Sequence, residues 1–283
     1  MKYRKKGGTD MNKGQKLLLY ISYDGSHFCG YQAQKNGPSV QCELNRATEE
    51  LFGYPCDITG CSRTDSGVHA RMFCATVTRR GTDYLDTTIP TDRVCRALNI
   101  HLPDSVAAWG AVGVPTDFHA RYSVSSKEYE YRFLCKPERD PFEEGRSWHI
   151  PRSLSDADLT RMQDAALAFI GKRDFSACMA SGSKVVSTVR HVTDASVDRA
   201  GDLVTFRVRA DGFLYNMVRI MAGTLIDVAR GTIPADEITA RLDSLDRKLM
   251  GRTAPAAGLY LNRVFYDDPA RAGYHGGGNA HGR

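Results

Sequence analysis

Apolar and polar positions cut the chain into short segments of two periods, and the sequence of periods is similar in its two halves. Lys16–Tyr23 (KLLLYISY) is an apolar run of strand length that stops at Asp24-Gly25. Ser39 can cap a helix in which Val40, Leu44, Ala47 and Leu51 recur at helical spacing. Phe73–Thr78 reads as a strand, Thr91–Leu98 as a short helix and Val106–Val114 as a strand. In the second half Lys127–Cys135 puts Tyr129, Tyr131, Phe133 and Cys135 on one strand face. Ser155 opens a helix carrying Leu159, Met162, Ala166 and Phe169, with Gly171 as its stop. Val189–Val197 and Leu203–Arg209 read as a hairpin around Ala200-Gly201-Asp202. Leu214–Ala229 follows as a helix ended by Gly231, then a helix over Asp236–Lys248 and a last strand, Leu259–Tyr266.

Strand and helix alternate in both halves, but a hairpin rules out a purely parallel sheet. The expectation is an α+β fold with two related halves, residues 16–115 and 116–268, meeting at a cleft. The stretch near 115–125 has no Gly/Ser linker, which predicts a sheet running through both halves. Residues 1–15 are polar and basic, and residues 269–283 are Gly-rich without periodicity; both read as disordered tails.

Composition narrows the class only a little. With 283 residues, 42% hydrophobic and 25% charged, the chain can bury a sizeable core. No apolar run approaches the roughly 20 residues that span a bilayer, and no apolar segment follows the N-terminal charges, so a cytoplasmic protein is expected. The eight cysteines include no Cys-x-x-Cys pair and no His at finger spacing, which argues for reduced thiols and against a metal site. A net charge of +5 permits an anionic partner without requiring one.

No Gly-rich dinucleotide turn and no P-loop is present. His69 near Cys61 and Ser62 could suggest a nucleophile pair, but no third orienting group follows, so His69 reads as structural. Three segments carry residue types that would converge usefully. Arg63-Thr64-Asp65 sets one carboxylate in a Gly-containing turn. Ser126–Tyr131 alternates aromatics on a strand, and Phe213–Ile220 sets Arg219 in an apolar helix, where it must snorkel or pair with a carboxylate.

Together these segments resemble the TruA-type tRNA pseudouridine synthases over residues 17–267. In order, the matching motifs are Tyr23-Asp-Gly, Gly30-Tyr-Gln, Arg63-Thr-Asp-Ser-Gly-Val-His69, Phe118-His-Ala-Arg121 and Lys127-Glu-Tyr-Glu-Tyr131. Asp174-Phe-Ser, Arg190, Met217-Val-Arg219 with Gly223-Thr-Leu, and Ala254-Pro-Ala-Ala-Gly-Leu-Tyr260 complete the set. The resemblance implies a pseudouridine synthase fold, with a central antiparallel sheet and two ferredoxin-like halves around a catalytic cleft. It implies Asp65 as the catalytic nucleophile, Arg219 as its ion-pair partner, Tyr129 as the residue stacking on the target base and a possible base, and Arg63 as the side chain that helps extrude the nucleotide. It further implies a homodimer acting without cofactor or metal on the anticodon arm of tRNA, at uridines 38, 39 and 40. Ser66 departs from the Ala of many members, and Ala70-Arg-Met-Phe-Cys74 lacks their Gly-Gln; both changes flank Asp65 without replacing it.

Overall fold

The first half folds as the repeat that its periods suggest. In a computed structural model that describes residues 14–34, 37–182 and 185–267, the chain divides into two units. Residues 1–13 of the expected N-terminal tail (1–15) and the whole of the expected Gly-rich tail (269–283) lie outside the described residues. The first unit holds residues up to 65, 70–125 and those from 264 on; the second holds 66–69 and 126–263.

In the first unit β1 (Lys16–Tyr23), α1 (Val40–Phe52), β2 (Cys56–Gly60), β3 (His69–Arg79), α2 (Thr91–His101) and β4 (Val106–Val114) follow in turn. The strands lie side by side as β4-β1-β3-β2, every pairing antiparallel. A βαββαβ chain in that order is a ferredoxin-like unit. Leu17–Ile21 are buried on both faces, as an inner strand requires. The Ser39 hydroxyl caps α1 by accepting the Cys42 N–H at 3.3 Å, and Gly53 ends the helix at φ +75°. Asn99 of α2 donates to the Ala108 carbonyl (2.8 Å) and accepts its N–H (2.7 Å), fixing α2 against β4 beside a register shift in β1–β4.

The second unit repeats the scheme with additions. Its elements are β5 (Val124–Cys135), which enters it at Ser126, β6 (Trp148–Ile150), α3 (Asp156–Leu167), β7 (Gly171–Asp174), β8 (Val189–Ala200), β9 (Leu203–Ala210), α4 (Met217–Ala229), α5 (Ile238–Asp243) and β10 (Leu259–Tyr266). The order β10-β5-β9-β8 is again ferredoxin-like, with β7 added antiparallel beside β8 and β6 added parallel to β5. The fold class is therefore α+β, mixed but mostly antiparallel.

Several expectations need correction. β2, β6 and β7 are strands that no apolar run announced. Gly171 does not stop α3, which ends at Leu167; at φ +128° it opens β7, and Phe169 packs into the core from beyond the helix. The helix expected over 236–248 breaks because Leu245 takes φ +58°, leaving α5 and a short 3-10 turn that the Asp246 side chain caps. The cysteines form no disulfide among the described residues: five are buried, Cys29 and Cys95 are half-buried, and Cys42 is exposed.

Candidate active site

Asp65 owes its place to the residues on either side of it. β2 ends at Gly60, where a Cβ would lie 2.6 Å from the Tyr31 ring and 2.7 Å from the Phe73 ring; only glycine lets the strand pass these stacked aromatics, whose centroids are 4.2 Å apart. The ladder continues one residue further, with the Cys61 N–H donating to the Cys74 carbonyl at 2.8 Å. The chain then leaves the sheet as an irregular loop, Ser62–Val68.

Thr64 ties that loop down. It is buried, its hydroxyl bonds the Tyr23 hydroxyl at 2.8 Å, and its carbonyl accepts the Tyr31 N–H at 3.1 Å. Buried polar groups bonded in this way resist displacement, because moving them leaves them unsatisfied. Arg63 on one side is exposed, and Asp65 on the other is half-buried. Ser66–His69 belong to the second unit. There Gly67 turns the chain at φ +78°, and the buried His69 ring stacks on Tyr260 at 4.6 Å. Nε2 of His69 faces two carbonyls, Gly145 at 2.9 Å and Ala257 at 3.1 Å, so it must carry the proton and donate. That nitrogen is committed to the backbone, which makes His69 an anchor of the loop.

Tyr129 and Arg219 lie in the second unit. Tyr129 stands on β5 opposite Val208 of β9, buried, with its ring edge-on to Phe213 at 5.0 Å and 81°. Two residues along the strand, the Tyr131 hydroxyl donates to the Pro255 carbonyl at 2.7 Å. Burial drives the Tyr131 pKa far above the ordinary phenol value, against the opposing pull of Arg219 and Arg252, so it remains protonated.

Arg219 occupies the first turn of α4, which begins after Asn216 in the left-handed region at φ +59°. Its Nε donates to the Ala254 carbonyl (2.7 Å) and its Nη1 to the Asn216 side-chain oxygen (2.8 Å), while its own carbonyl accepts the Ala254 N–H (3.0 Å). The guanidinium plane is thus oriented by a backbone carbonyl and an amide, partners that the sequence reading, framed as water or a carboxylate, did not foresee. The segment 251–254 reaches α4 because two glycines allow it. A Cβ on Gly223 would lie 1.8 Å from the Arg252 carbonyl oxygen, and one on Gly251 would lie 2.5 Å from the Thr224 nitrogen. The Thr224 hydroxyl accepts the Gly251 N–H at 2.9 Å and closes the contact.

Each candidate from the sequence therefore has a defined local setting: Arg63 and Asp65 share one loop of the first unit, and Tyr129 and Arg219 belong to the second. What the sequence reading missed is the supporting cast of Thr64, Tyr31, Gly60 and the carbonyls of Ala254 and Pro255. For Thr64, Tyr31, Ala254 and Pro255 the sequence signal was membership of the Gly30-Tyr-Gln, Arg63-Thr-Asp and Ala254-Pro-Ala motifs; Gly60 lies in none of these.

Residues 19–123 and 165–267 match a protein-family model described as tRNA pseudouridine synthase. Three similar curated relatives carry the name tRNA pseudouridine synthase A. The protein of Acetivibrio thermocellus is 44% identical over 251 residues, 88% of this chain and 99% of the relative. That of Ruminiclostridium cellulolyticum is 41% identical over 253 residues, 89% of this chain and all of the relative. That of Halalkalibacterium halodurans is 38% identical over 252 residues, 88% of this chain and 92% of the relative.

Tyr23→Phe should report on the tie that holds the loop. It strips the Thr64 hydroxyl of its 2.8 Å partner, so the loss expected in urea denaturation is about 1–3 kcal/mol. An unchanged midpoint and slope would mean that the hydroxyl pair does not hold the loop.

Proposed function

The chain belongs to the tRNA pseudouridine synthase family, and on that footing we propose that it isomerises uridine to pseudouridine at positions 38, 39 and 40 of the tRNA anticodon arm, with Asp65 as the reacting carboxylate. The observation that supports this most is the fixed backbone around Asp65. A carboxylate half-open to solvent follows a residue locked by two hydrogen bonds, with the exposed Arg63 two positions before it.

The reaction breaks the N1–C1′ bond, turns the base, and joins C5 to C1′. The C5 proton is lost and N1 regains one, so atoms balance and no redox partner or energy source is consumed. The Asp65 carboxylate serves by adding to C6 or by capturing C1′; either way it must be ionised and held still. Arg219, oriented by Ala254 and Asn216, is the cation assigned to pair with it. Extruding the uridine costs a few kcal/mol of stacking. Stacking on Tyr129 returns about 1–3 kcal/mol, and Arg63 fills the gap left in the RNA.

The halves over residues 16–115 and 116–268 act as one catalytic body in the cytoplasm, where tRNA is processed. With only +5 net charge per chain, a homodimer doubles the basic surface offered to the RNA. Phosphate contacts of this kind position the substrate, and selection rests on shape and on which uridines reach Asp65.

Asp65→Asn should abolish turnover while tRNA binding and the urea midpoint stay near wild type; purified variant retaining more than a small residue of activity on tRNA transcripts would sink the assignment. Tyr129→Phe separates two roles of one side chain. Binding should persist and single-turnover rates should fall if the hydroxyl removes the C5 proton, whereas near-normal rates would leave Tyr129 with stacking alone. For the dimer, light scattering should give twice the chain mass, and tRNA affinity should fall steeply with salt. A fully active monomer would overturn that arrangement.

A further inference from the structure

β7 and β8 place two arginines, Arg173 and Arg190, directly opposite each other on antiparallel strands. Side chains paired in this way share one face of the sheet, and like charges there repel unless something negative stands beside them. Arg173 has such a partner: its Nη1 lies 4.0 Å from the Asp243 carboxylate of α5. The half-buried Arg190 has no carboxylate partner among the described residues. Its Nη1 donates to two carbonyls just before it in the chain, Ser187 at 2.9 Å and Val189 at 2.6 Å, which leaves Nε and Nη2 without a partner there. Neighbouring carboxylates are committed elsewhere. Asp174 accepts the Ser176 N–H and the Thr188 hydroxyl, both at 2.8 Å, and Asp211 accepts the His191 N–H at 2.9 Å.

The direction of the Arg190 side chain follows from a missing one. Val192 of β8 pairs with Ala210 of β9, which pairs in turn with Lys127 of β5, and Tyr129 stands opposite Val208. The β8–β9 ladder runs one residue further, with the Asp211 N–H donating to the His191 carbonyl at 3.1 Å, so Arg190 comes opposite Gly212. Alternation then puts Arg190, Val192, Val208 and Tyr129 on one face of the sheet. A Cβ at position 212 would stand 3.3 Å from Arg190 Nε and 3.5 Å from its Cδ. The side chain therefore lies across β9, over the spot where any other residue would carry its own, and leans toward the strand that bears Tyr129. Phe213, next in the chain, is the residue that the Tyr129 ring meets edge-on. Nε and Nη2 form the side of the guanidinium fork that grips two oxygens of one phosphate. A cation with that side unpartnered, on the face that carries the aromatic platform, suits a phosphodiester.

We propose that Arg190 holds, through Nε and Nη2, one of the two phosphates flanking the uridine whose base stacks on Tyr129. The proposal rests on the tRNA-isomerase reading and gives it a fixed point. Between cleavage and rejoining the base turns, while C1′ must stay where C5 will meet it. A held phosphate keeps the ribose from following the base.

The test uses the full-length protein in single-turnover assays on whole tRNA with a single target uridine, intact or carrying one uncharged methylphosphonate linkage immediately 5′ or 3′ of it. Arg190→Gln should slow the intact substrate roughly 10- to 100-fold, the range of a hydrogen bond to a charged group. One of the two methylphosphonate tRNAs should slow the wild type by a similar factor, and on that tRNA Arg190→Gln should add nothing. Arg190→Lys, which keeps the charge and loses the fork, should recover only part of the loss on intact tRNA. If Arg190 does no more than clamp the Ser187 and Val189 carbonyls, the Arg190→Gln penalty persists undiminished on both modified tRNAs, and the proposal falls. It falls equally if the wild type is indifferent to both linkages, a result that does not depend on how any variant folds. Wild-type protein that leaves intact tRNA unmodified would instead overturn the isomerase reading itself, so the two failures are distinguishable.

Discussion

Thr64 makes two hydrogen bonds, one through its hydroxyl to Tyr23 and one through its carbonyl to the Tyr31 N–H, and the geometry of the candidate site depends on them. A reactive carboxylate is useful only if its backbone does not drift, and a loop outside a sheet has no ladder to hold it. Here the restraint comes from the end of β1 and from the segment before α1, two pieces of chain distant in sequence from Asp65. Both are fixed in turn by local devices: the Asp24 side chain caps the Gly25–His27 turn, and the Gln41 N–H bonds the Tyr31 carbonyl. Asp65 thus takes its position from the apolar core beneath β1.

The same logic, with different chemistry, holds Arg219. An arginine has five donors in a rigid plane, and fixing two of its nitrogens fixes the direction of the rest. The Ala254 carbonyl and the Asn216 side chain do so, and they can only because the backbone of 251–254 touches α4 at Gly223 and Gly251. Glycine at those two points is a condition for orienting a cation several residues away.

Strands whose apolar runs end at clear turn residues were legible in the sequence to the residue: β1, β4 and β10 have the expected ends. β2 was not, since Cys56–Gly60 is five residues long, exposes Asp57 and ends in a glycine. β7 was not, because Gly-Lys-Arg-Asp at a sheet edge buries little. The broken helix near 245 followed from a backbone angle that no periodicity encodes. At the site, the sequence could nominate Arg63, Asp65, Tyr129 and Arg219 because their motifs resemble those of a family. The groups that hold them were not legible, because they are mostly backbone carbonyls, and a carbonyl has no letter in a sequence.

The division of the chain between the units bears on how the protein is made. The first unit is completed by residues from the far end: Tyr266 packs on Phe118 at 5.1 Å, its hydroxyl donates to the Ala120 carbonyl, and the Phe265 carbonyl accepts the Ser125 hydroxyl. More than a hundred residues separate Ser125 from that closing segment. A ribosome adding about 5–20 residues per second needs on the order of ten seconds to cover them. For that interval the N-terminal half waits beside the exit tunnel with part of its core uncovered, so the half that is synthesised first is not the half that is finished first.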